Sequence, residues 1–232
     1  MKDVIVAVLA HPDDESFGMG GTLARYASQG AAVYLILATR GEAGIPGTDP
    51  RCAGEIREAE ARAACQVLGV QGPTFLGFMD GGLTAVPDEV AVARLVQELR
   101  QQRPDIVLTF GPAGVSGHPD HVAVSRWTTI AFDRLSASPG GPRKLYYLAP
   151  SEATEQVCGG SLSSETDGAR MASIDISAFK THKVRAMQQH RSQHPPFPGV
   201  PEVEASKLAC HEVFHRARPR HEGIEGHEED LF

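Results

Sequence analysis

Residues 4–15 read V-I-V-A-V-L-A-H-P-D-D-E, an apolar, β-branched run that ends in a polar cluster. A continuous apolar run of this length is typical of a strand that is buried on both faces of a parallel sheet. Residues 32–38 repeat the signature, and the intervening residues 20–27 can form a helix that Gly30 closes. The beginning of the chain therefore predicts a β-α-β unit.

The same alternation continues along the chain. Apolar positions at helical spacing predict helices at residues 55–68, around residues 92–99, and at residues 122–135. Short apolar runs predict strands at residues 74–78, 105–110 and 144–148. The pattern predicts an α/β fold, a three-layer, mostly parallel, Rossmann-like sheet with helices on both faces.

The domain organisation follows from length and pattern. A chain of 232 residues with 41% hydrophobic composition can bury one large core, so we expect a single domain over residues 1–232. Residues 1–150 form its doubly wound core, and residues 151–232 form a small, irregular C-terminal extension that completes the site. Within the extension we expect a surface loop at residues 159–168 and a strand at residues 173–176. A helix should follow at residues 178–190, and then a proline-rich crossing at residues 194–201.

Composition excludes several classes of partner. A formal net charge of −7 offers no basic surface for nucleic acid. Asp3 interrupts a weakly signal-like start, and no later stretch approaches the roughly twenty apolar residues that span a bilayer. The scattered cysteines predict reduced thiols: Cys52, Cys65, Cys158 and Cys210. We therefore expect a cytoplasmic protein that acts on a small molecule and binds neither nucleic acid nor membranes.

Two polar motifs follow predicted strands. Residues 10–15, A-H-P-D-D-E, come directly after the first strand, and residues 118–121, H-P-D-H, follow the strand at residues 105–110. Ligands of open α/β sheets bind at the carboxyl ends of the strands, so both motifs should reach one crevice. Taken alone, Asp13 or Asp14 could simply cap the next helix. Two such motifs at one edge instead favour a metal centre.

This set of side chains suits hydrolysis. Two imidazoles and one carboxylate leave a coordination position open, as in catalytic zinc sites, where zinc lowers the pKa of bound water to about 7. Asp13 is the candidate general base that accepts the water proton and passes it to a leaving amine. His118, which lies near His121 in the motif and is oriented by Asp120, would donate to the developing oxyanion.

The two motifs resemble the PIG-L/LmbE-type zinc-dependent N-acetylglucosaminyl deacetylases, a family that includes the deacetylases of mycothiol and bacillithiol biosynthesis. The resemblance extends through G-E-A-G at residues 41–44, R-x-x-E at residues 57–60, L-G-x-x-D ending at Asp80, and the closing D-L-F. In one position the sequence departs from the mycothiol branch, because Ser116 stands where that branch carries a tyrosine. Assignment to that branch is thereby weakened.

The resemblance implies the roles of particular residues. His11, Asp14 and His121 would bind Zn²⁺, or Fe²⁺ or another divalent metal, and the resemblance supports Asp13 as the base. Arg57 and Asp80 would contact the sugar of an N-acetylglucosamine conjugate, the substrate from which the N-acetyl group is removed. Relatives of this kind are often trimers or hexamers, so a homo-oligomer is also implied.

Other interpretations stay open at this stage. The chain could be a non-catalytic sugar- or nucleotide-binding α/β module, an amidase that acts on a non-sugar N-acyl substrate, or an iron protein with the same triad. Residues 211–215, H-E-V-F-H, match the zinc-protease motif, but their alternation fits a strand, on which that motif cannot work. The segment at residues 190–193, H-R-S-Q, resembles a family pattern of uncertain role, and we expect packing or surface functions for His190 and His194. The acidic tail should be a solvated end whose Leu231 and Phe232 tuck against the body or a neighbouring subunit.

Overall fold

The computed structural model describes residues 3–149, 170–195, 198–219 and 227–232. The predicted loop at residues 159–168 and Cys158 lie outside the described residues, as does part of the proline-rich crossing. Cys52, Cys65 and Cys210 are free thiols, as predicted.

Within the described residues, the strands form one sheet in the order β3-β2-β1-β4-β5-β7-β6-β8. The strands are β1 (Val4–Leu9), β2 (Ala32–Leu37), β3 (Gln71–Phe75), β4 (Ile106–Phe110), β5 (Lys144–Ala149), β6 (Arg170–Asp175), β7 (His211–Arg218) and β8 (His227–Glu228). Strand β7 is antiparallel to both of its neighbours, and every other pair is parallel. The predicted mostly parallel sheet is confirmed, and the C-terminal extension adds strands β6, β7 and β8 to it.

Helices cover both faces of this sheet. They are α1 (Asp14–Ser28), α2 (Pro50–Leu68), α3 (Asp88–Gln102), α4 (Gly114–Gly117), α5 (Pro119–Ser136), α6 (Lys180–Met187) and α7 (Pro201–Glu204). Helices α1, α2 and α6 pack against one another, and α3 packs against α5. Among the described helices, none combines the length and the apolar character that a membrane crossing requires.

The central strands show no alternation of apolar and polar residues because both of their faces are buried in the core. All residues of β4 are buried, and in β1 only Val4 is partly exposed. Helix α2 ends at Leu68 as predicted, and Gly69 has a φ of 72° just after the last turn. It begins at Pro50 rather than at residue 55, because the Asp49 carboxylate accepts hydrogen bonds from an earlier first turn. Helix α1 begins at Asp14, earlier than predicted, because the D-D-E stretch enters its first turn.

The H-E-V-F-H sequence lies on strand β7, so the helical geometry of a zinc protease is not formed. Helix α1 is broken at Met19, which has a φ of −139°, and the broken end exposes backbone N–H groups. The buried carboxylate of Glu212 accepts from the N–H groups of Gly21 at 3.1 Å and Thr22 at 2.7 Å. This glutamate therefore caps the second half of α1, with Lys183 Nζ at 2.6 Å as its counter-ion.

The end of the chain packs on helix α1, as expected. Leu231 is fully buried, and its N–H donates to the Tyr26 hydroxyl at 2.9 Å. That hydroxyl donates in turn to Asp230 at 2.9 Å, and the Phe232 ring lies 5.7 Å from the Tyr26 ring.

Candidate metal centre

The H-P-D-D-E motif turns directly from strand β1 into helix α1. The Oδ2 atom of Asp14 accepts backbone N–H groups from His11 at 2.8 Å and Ala10 at 3.2 Å. These bonds hold the carboxylate back over the end of the strand. Asp14 therefore faces the crevice beside His11.

The H-P-D-H motif reaches the same crevice from strand β4. The His121 ring stacks on Phe110, the last residue of β4, with centroids 4.0 Å apart and planes 3° apart. The ring centroids of His121 and His11 are 5.3 Å apart. The predicted convergence of the two motifs is observed at the carboxyl ends of β1 and β4, where the direction of strand connection reverses.

Each of these two rings has one nitrogen occupied by an acceptor. His11 Nε2 lies 3.0 Å from Asp80 Oδ1 and 3.3 Å from Asp120 Oδ2, so His11 Nδ1 is left facing Asp14 Oδ2 at 3.7 Å. His121 Nδ1 lies 3.1 Å from the carbonyl oxygen of Gly114, so His121 Nε2 faces Asp14 Oδ1 at 3.3 Å. Metal-binding histidines typically donate their other ring N–H in this way. The donor set therefore fits a divalent cation held by His11, Asp14 and His121.

Two other groups of donors share His11. Nitrogen atoms of His11, His118 and His121 lie within 4.8 Å of one another, and so do ligand atoms of His11, Asp80 and Asp120. The second group is explained by the hydrogen bonds to His11 Nε2. In the first group His118 would replace Asp14. Its Nδ1 accepts the backbone N–H of Asp120 at 3.2 Å, so in the neutral ring Nε2 carries the proton and is a donor rather than a metal ligand. The set with Asp14 is therefore favoured.

The electrostatics of the cluster favour a cation. Burial lowers the pKa of His11, but hydrogen bonds to Asp120 and Asp80 and the charge of Asp14 raise it to about 10. Burial raises the pKa of Asp14, yet the charge and hydrogen bond of His121, with His11, hold it well below its usual range. The cluster thus stabilises positive charge, and a metal that binds His11 must displace a proton.

Asp13 has an unusual backbone conformation. Its φ of 115° lies in the left-handed region that L side chains rarely adopt, a strain that is common at functional sites. Its Oδ2 atom accepts a 2.9 Å hydrogen bond from Arg57. Burial and the charge of Asp14 raise the pKa of Asp13 to about 7, although Arg57 and His190 oppose the shift. The candidate base is therefore poised near neutral pH.

The two terminal nitrogens of Arg57 are bound within the protein. It is 3% exposed, and besides Asp13 it donates to the carbonyl oxygens of Pro12 at 2.5 Å and Gly41 at 3.3 Å. A Cβ atom at Gly41 or Gly44 would collide with the guanidinium, which explains the two glycines of G-E-A-G. Contact of Arg57 with a sugar stays a prediction, and it would require the side chain to leave these partners.

Asp80 is also bound within the protein. Its Oδ1 atom contacts His11, and its Oδ2 atom accepts the backbone N–H of Ala43 at 3.0 Å. Its side chain is 9% exposed, so only a small part of the carboxylate is open to a ligand. Its predicted contact with the sugar is not tested by this geometry.

We expected the Asp120 side chain to orient His118, but in the structure the Asp120 carboxylate has other partners. The Asp120 carboxylate is buried and accepts from the N–H groups of Gly81 at 2.8 Å and Leu83 at 3.2 Å, besides contacting His11. Only the backbone N–H of Asp120 contacts His118, at Nδ1. Burial and the charges of His11 and His121 lower the pKa of His118. His118 is thus a neutral, exposed imidazole whose Nε2 carries its proton.

Two residues to which the sequence assigned no chemical role lie beneath this cluster. Glu15 and His190 are both fully buried, and His190 Nε2 lies 2.6 Å from Glu15 Oε1. Burial lowers the pKa of His190, but the charge and hydrogen bond of Glu15 raise it above its ordinary value. The sequence offered one clue to this pair. Glu15 lies in the H-P-D-D-E motif, and His190 begins the H-R-S-Q segment that resembles a family pattern.

Comparison with known proteins gives consistent matches. Residues 6–132 match the PIG-L family, described as GlcNAc-PI de-N-acetylase. The 1D-myo-inositol 2-acetamido-2-deoxy-alpha-D-glucopyranoside deacetylase of Thermobifida fusca is 31% identical, with 98% of each chain covered. The deacetylase of the same name from Kineococcus radiotolerans is 40% identical over 55% of this chain, and the match spans only 44% of that relative. A conserved protein of Thermus thermophilus has a similar structure, with a TM-score of 0.67, 30% identity, and 96% of this chain and 98% of that chain covered.

Proposed function

This chain belongs to the PIG-L family of GlcNAc-PI de-N-acetylases, and on that premise we propose that it is a metal-dependent hydrolase that removes the N-acetyl group from an N-acetylglucosamine conjugate. The observation that carries the proposal is the meeting of His11, Asp14 and His121 at the β1 and β4 strand ends, with Asp13 beside them. The T. fusca relative is named for an N-acetylglucosaminyl-inositol substrate, so that conjugate is the first to test.

The metal would be held by Nδ1 of His11, the carboxylate of Asp14 and Nε2 of His121. Zn²⁺ suits this donor set, and Fe²⁺ or another divalent ion is the alternative. When bound, such an ion lowers the pKa of a water molecule and polarises an amide carbonyl. The carboxylate base next to the ligands favours hydrolysis over the O₂-dependent oxidation that iron oxygenases with this ligand set perform.

Asp13 moves the proton in this proposal. Its carboxylate takes a proton from the water that attacks the amide carbon, and a carbon–oxygen bond forms. When the carbon–nitrogen bond breaks, the same proton passes to the leaving nitrogen, so the products are acetate and a free amine. Arg57 fixes the orientation of the carboxylate through the 2.9 Å bond to Oδ2.

His118 stabilises the negative charge that develops on the amide oxygen. Its Nδ1 accepts the N–H of Asp120, so its Nε2 carries a proton and can donate. The ring centroid lies 5.0 Å from that of His11 and 4.9 Å from that of His121, beside the proposed metal ligands. Donors placed in this way act on the transition state more than on the bound substrate.

An amine-release assay that also measures metal content tests the proposal. The panel contains the N-acetylglucosaminyl-inositol conjugate, free N-acetylglucosamine, and an N-acetyl amino acid as the non-sugar substrate. We expect stoichiometric divalent metal, loss of activity on chelation, and fastest release from a sugar conjugate. His121→Ala should lose metal and activity together, whereas His182→Ala, which removes an exposed histidine far along the chain, should lose neither.

Two outcomes contradict parts of the proposal. A protein without bound metal that is indifferent to chelators and to added zinc would be the non-catalytic binding module instead. Faster release from the N-acetyl amino acid than from every sugar conjugate would make the chain an amidase of another substrate class.

A further inference from the structure

The segment at residues 190–193 reaches the candidate base through Glu15. His190 Nε2 lies 2.6 Å from Glu15 Oε1, and both side chains are fully buried. The other oxygen, Glu15 Oε2, accepts a 3.1 Å hydrogen bond from the backbone N–H of Asp13. Because the φ of Asp13 is 115°, its backbone needs an external restraint to keep this conformation. Glu15 supplies that restraint, and His190 holds Glu15 in place.

The same segment reaches the base by a second route, through Arg57. Ser192 donates from its N–H at 2.8 Å and from its Oγ at 2.6 Å to the carboxylate of Glu60. Glu60 lies about one helical turn after Arg57 on α2, so this contact fixes the turn that carries the guanidinium. Gln193 Nε2 donates at 3.2 Å to the carbonyl oxygen of Gly44, one of the glycines that make room for Arg57.

We propose that residues 190–193 form a positioning clamp for Asp13, which holds its backbone through Glu15 and its carboxylate through Arg57 and the surrounding loop. The inference rests on the proposed function, because the base has a task only if the chain hydrolyses an amide. His190, Ser192 and Gln193 are positioning residues, since the hydrogen bonds described for them reach the base only through other residues. Misplacement of a catalytic group by about 1 Å can cost about a hundredfold in rate, so the clamp should affect kcat.

The first test removes the side-chain hydrogen bonds of Ser192 and Gln193 and leaves the backbone bond from Ser192 to Glu60 in place. Ser192→Ala with Gln193→Ala should lower kcat about tenfold to a hundredfold, with KM and metal content within about twofold of wild type. The matched control, Ser206→Ala with Gln189→Ala, removes hydrogen bonds to carbonyl oxygens elsewhere on the surface and should change nothing. A kcat within about twofold of wild type for the clamp variant overturns the proposal.

A mutant cycle tests whether the clamp acts through the base. In an Asp13→Asn background, the Ser192 and Gln193 substitutions should cause no further loss, because the group that they position no longer accepts a proton. If the two losses multiply instead, the segment acts on something other than Asp13, and the proposal is wrong.

The buried half of the clamp is tested by rescue. His190→Gln can still present an N–H to Glu15, so it should keep more of kcat than His190→Ala. Equal losses in the two variants would contradict the proposal. Because His190→Ala removes the imidazole that pairs with a buried carboxylate and thereby endangers folding, the Ser192 and Gln193 variant remains the deciding one.

Hydrogen–deuterium exchange separates failure of the clamp from failure of the proposed function. Exchange of a peptide that contains Asp13 should be faster in the Ser192→Ala, Gln193→Ala variant than in the control pair. If the wild-type protein with metal released no amine from any conjugate, the proposed function would fail, while the exchange result would still decide the clamp. Unchanged exchange at that peptide overturns it.

Discussion

Replacement of Asp13 by Asn is the most direct test of the chemistry. Asparagine has nearly the same shape, and its side-chain oxygen can still accept the hydrogen bond that Arg57 makes at 2.9 Å. Arg57 also keeps the carbonyl oxygens of Pro12 and Gly41 as acceptors, so the fold should tolerate the change. What is lost is a carboxylate that can accept a proton. General base catalysis contributes about 10²- to 10⁴-fold, so kcat should fall by that factor, or about 2.7 to 5.4 kcal/mol.

The assay measures kcat, KM and metal content on the same samples of wild type and Asp13→Asn. Metal content should be unchanged, because Asp14 and not Asp13 faces the two histidines. Asp133→Asn, an exposed aspartate whose partner is Arg218, serves as the matched control and should leave kcat unaltered. Turnover near the wild-type value for Asp13→Asn would refute the base assignment, and loss of metal would make Asp13 a ligand.

The pKa of Asp13 predicts how the activity depends on pH. Burial and the charge of Asp14 raise the pKa of Asp13 to about 7, so the carboxylate is protonated and inactive as a base below that pH. Activity should therefore rise as pH increases through about 7, and this limb should be absent from the residual rate of Asp13→Asn. The raised pKa also means that ionisation of Asp13 costs folding stability as pH rises from its unfolded value, near 3.8, to about 7. Asp13→Asn should remove that loss, which denaturant titrations at several pH values would detect.

Three further substitutions have defined outcomes. Gly44→Ala places a Cβ against the Arg57 guanidinium and should lower both kcat and the melting temperature, and an unaltered protein would show that the loop can shift. His118→Ala should lower kcat by about 10²- to 10³-fold with metal content retained, as expected for loss of an oxyanion donor, and a loss of metal would point to His118 as a ligand. Tyr26→Phe leaves the buried N–H of Leu231 without its acceptor and should cost about 1–3 kcal/mol of unfolding free energy in denaturant titrations, with kcat unchanged.

Much of the fold follows from local patterns. The buried runs predicted β1, β2, β4 and β5 within a residue or two, because a strand covered on both faces is apolar at most of its positions. Strand β3 was harder to place. It covers Gln71–Phe75 rather than residues 74–78, since its first residues are exposed or polar and carry no apolar signal.

The sequence alone also predicted where the site lies. His11 and His121 come from motifs that follow different strands, and parallel strands bring their carboxyl ends to one edge of a sheet. Their approach was therefore predictable without any knowledge of side-chain contacts, and the 5.3 Å between the rings agrees with it. The roles of these residues as metal ligands stay predictions until metal is measured.

Only the tertiary structure decided how the site is supported. Arg57 and Asp13 are separated by 44 positions, and His190 and Glu15 by 175. Glu212 caps a break in α1 from 190 positions away, although its own sequence context resembled a protease motif. Periodicity and strand ends report which face of an element is buried. The partner of a buried charge depends instead on which distant side chain the packed layers bring within about 3 Å, and no local pattern encodes that distance.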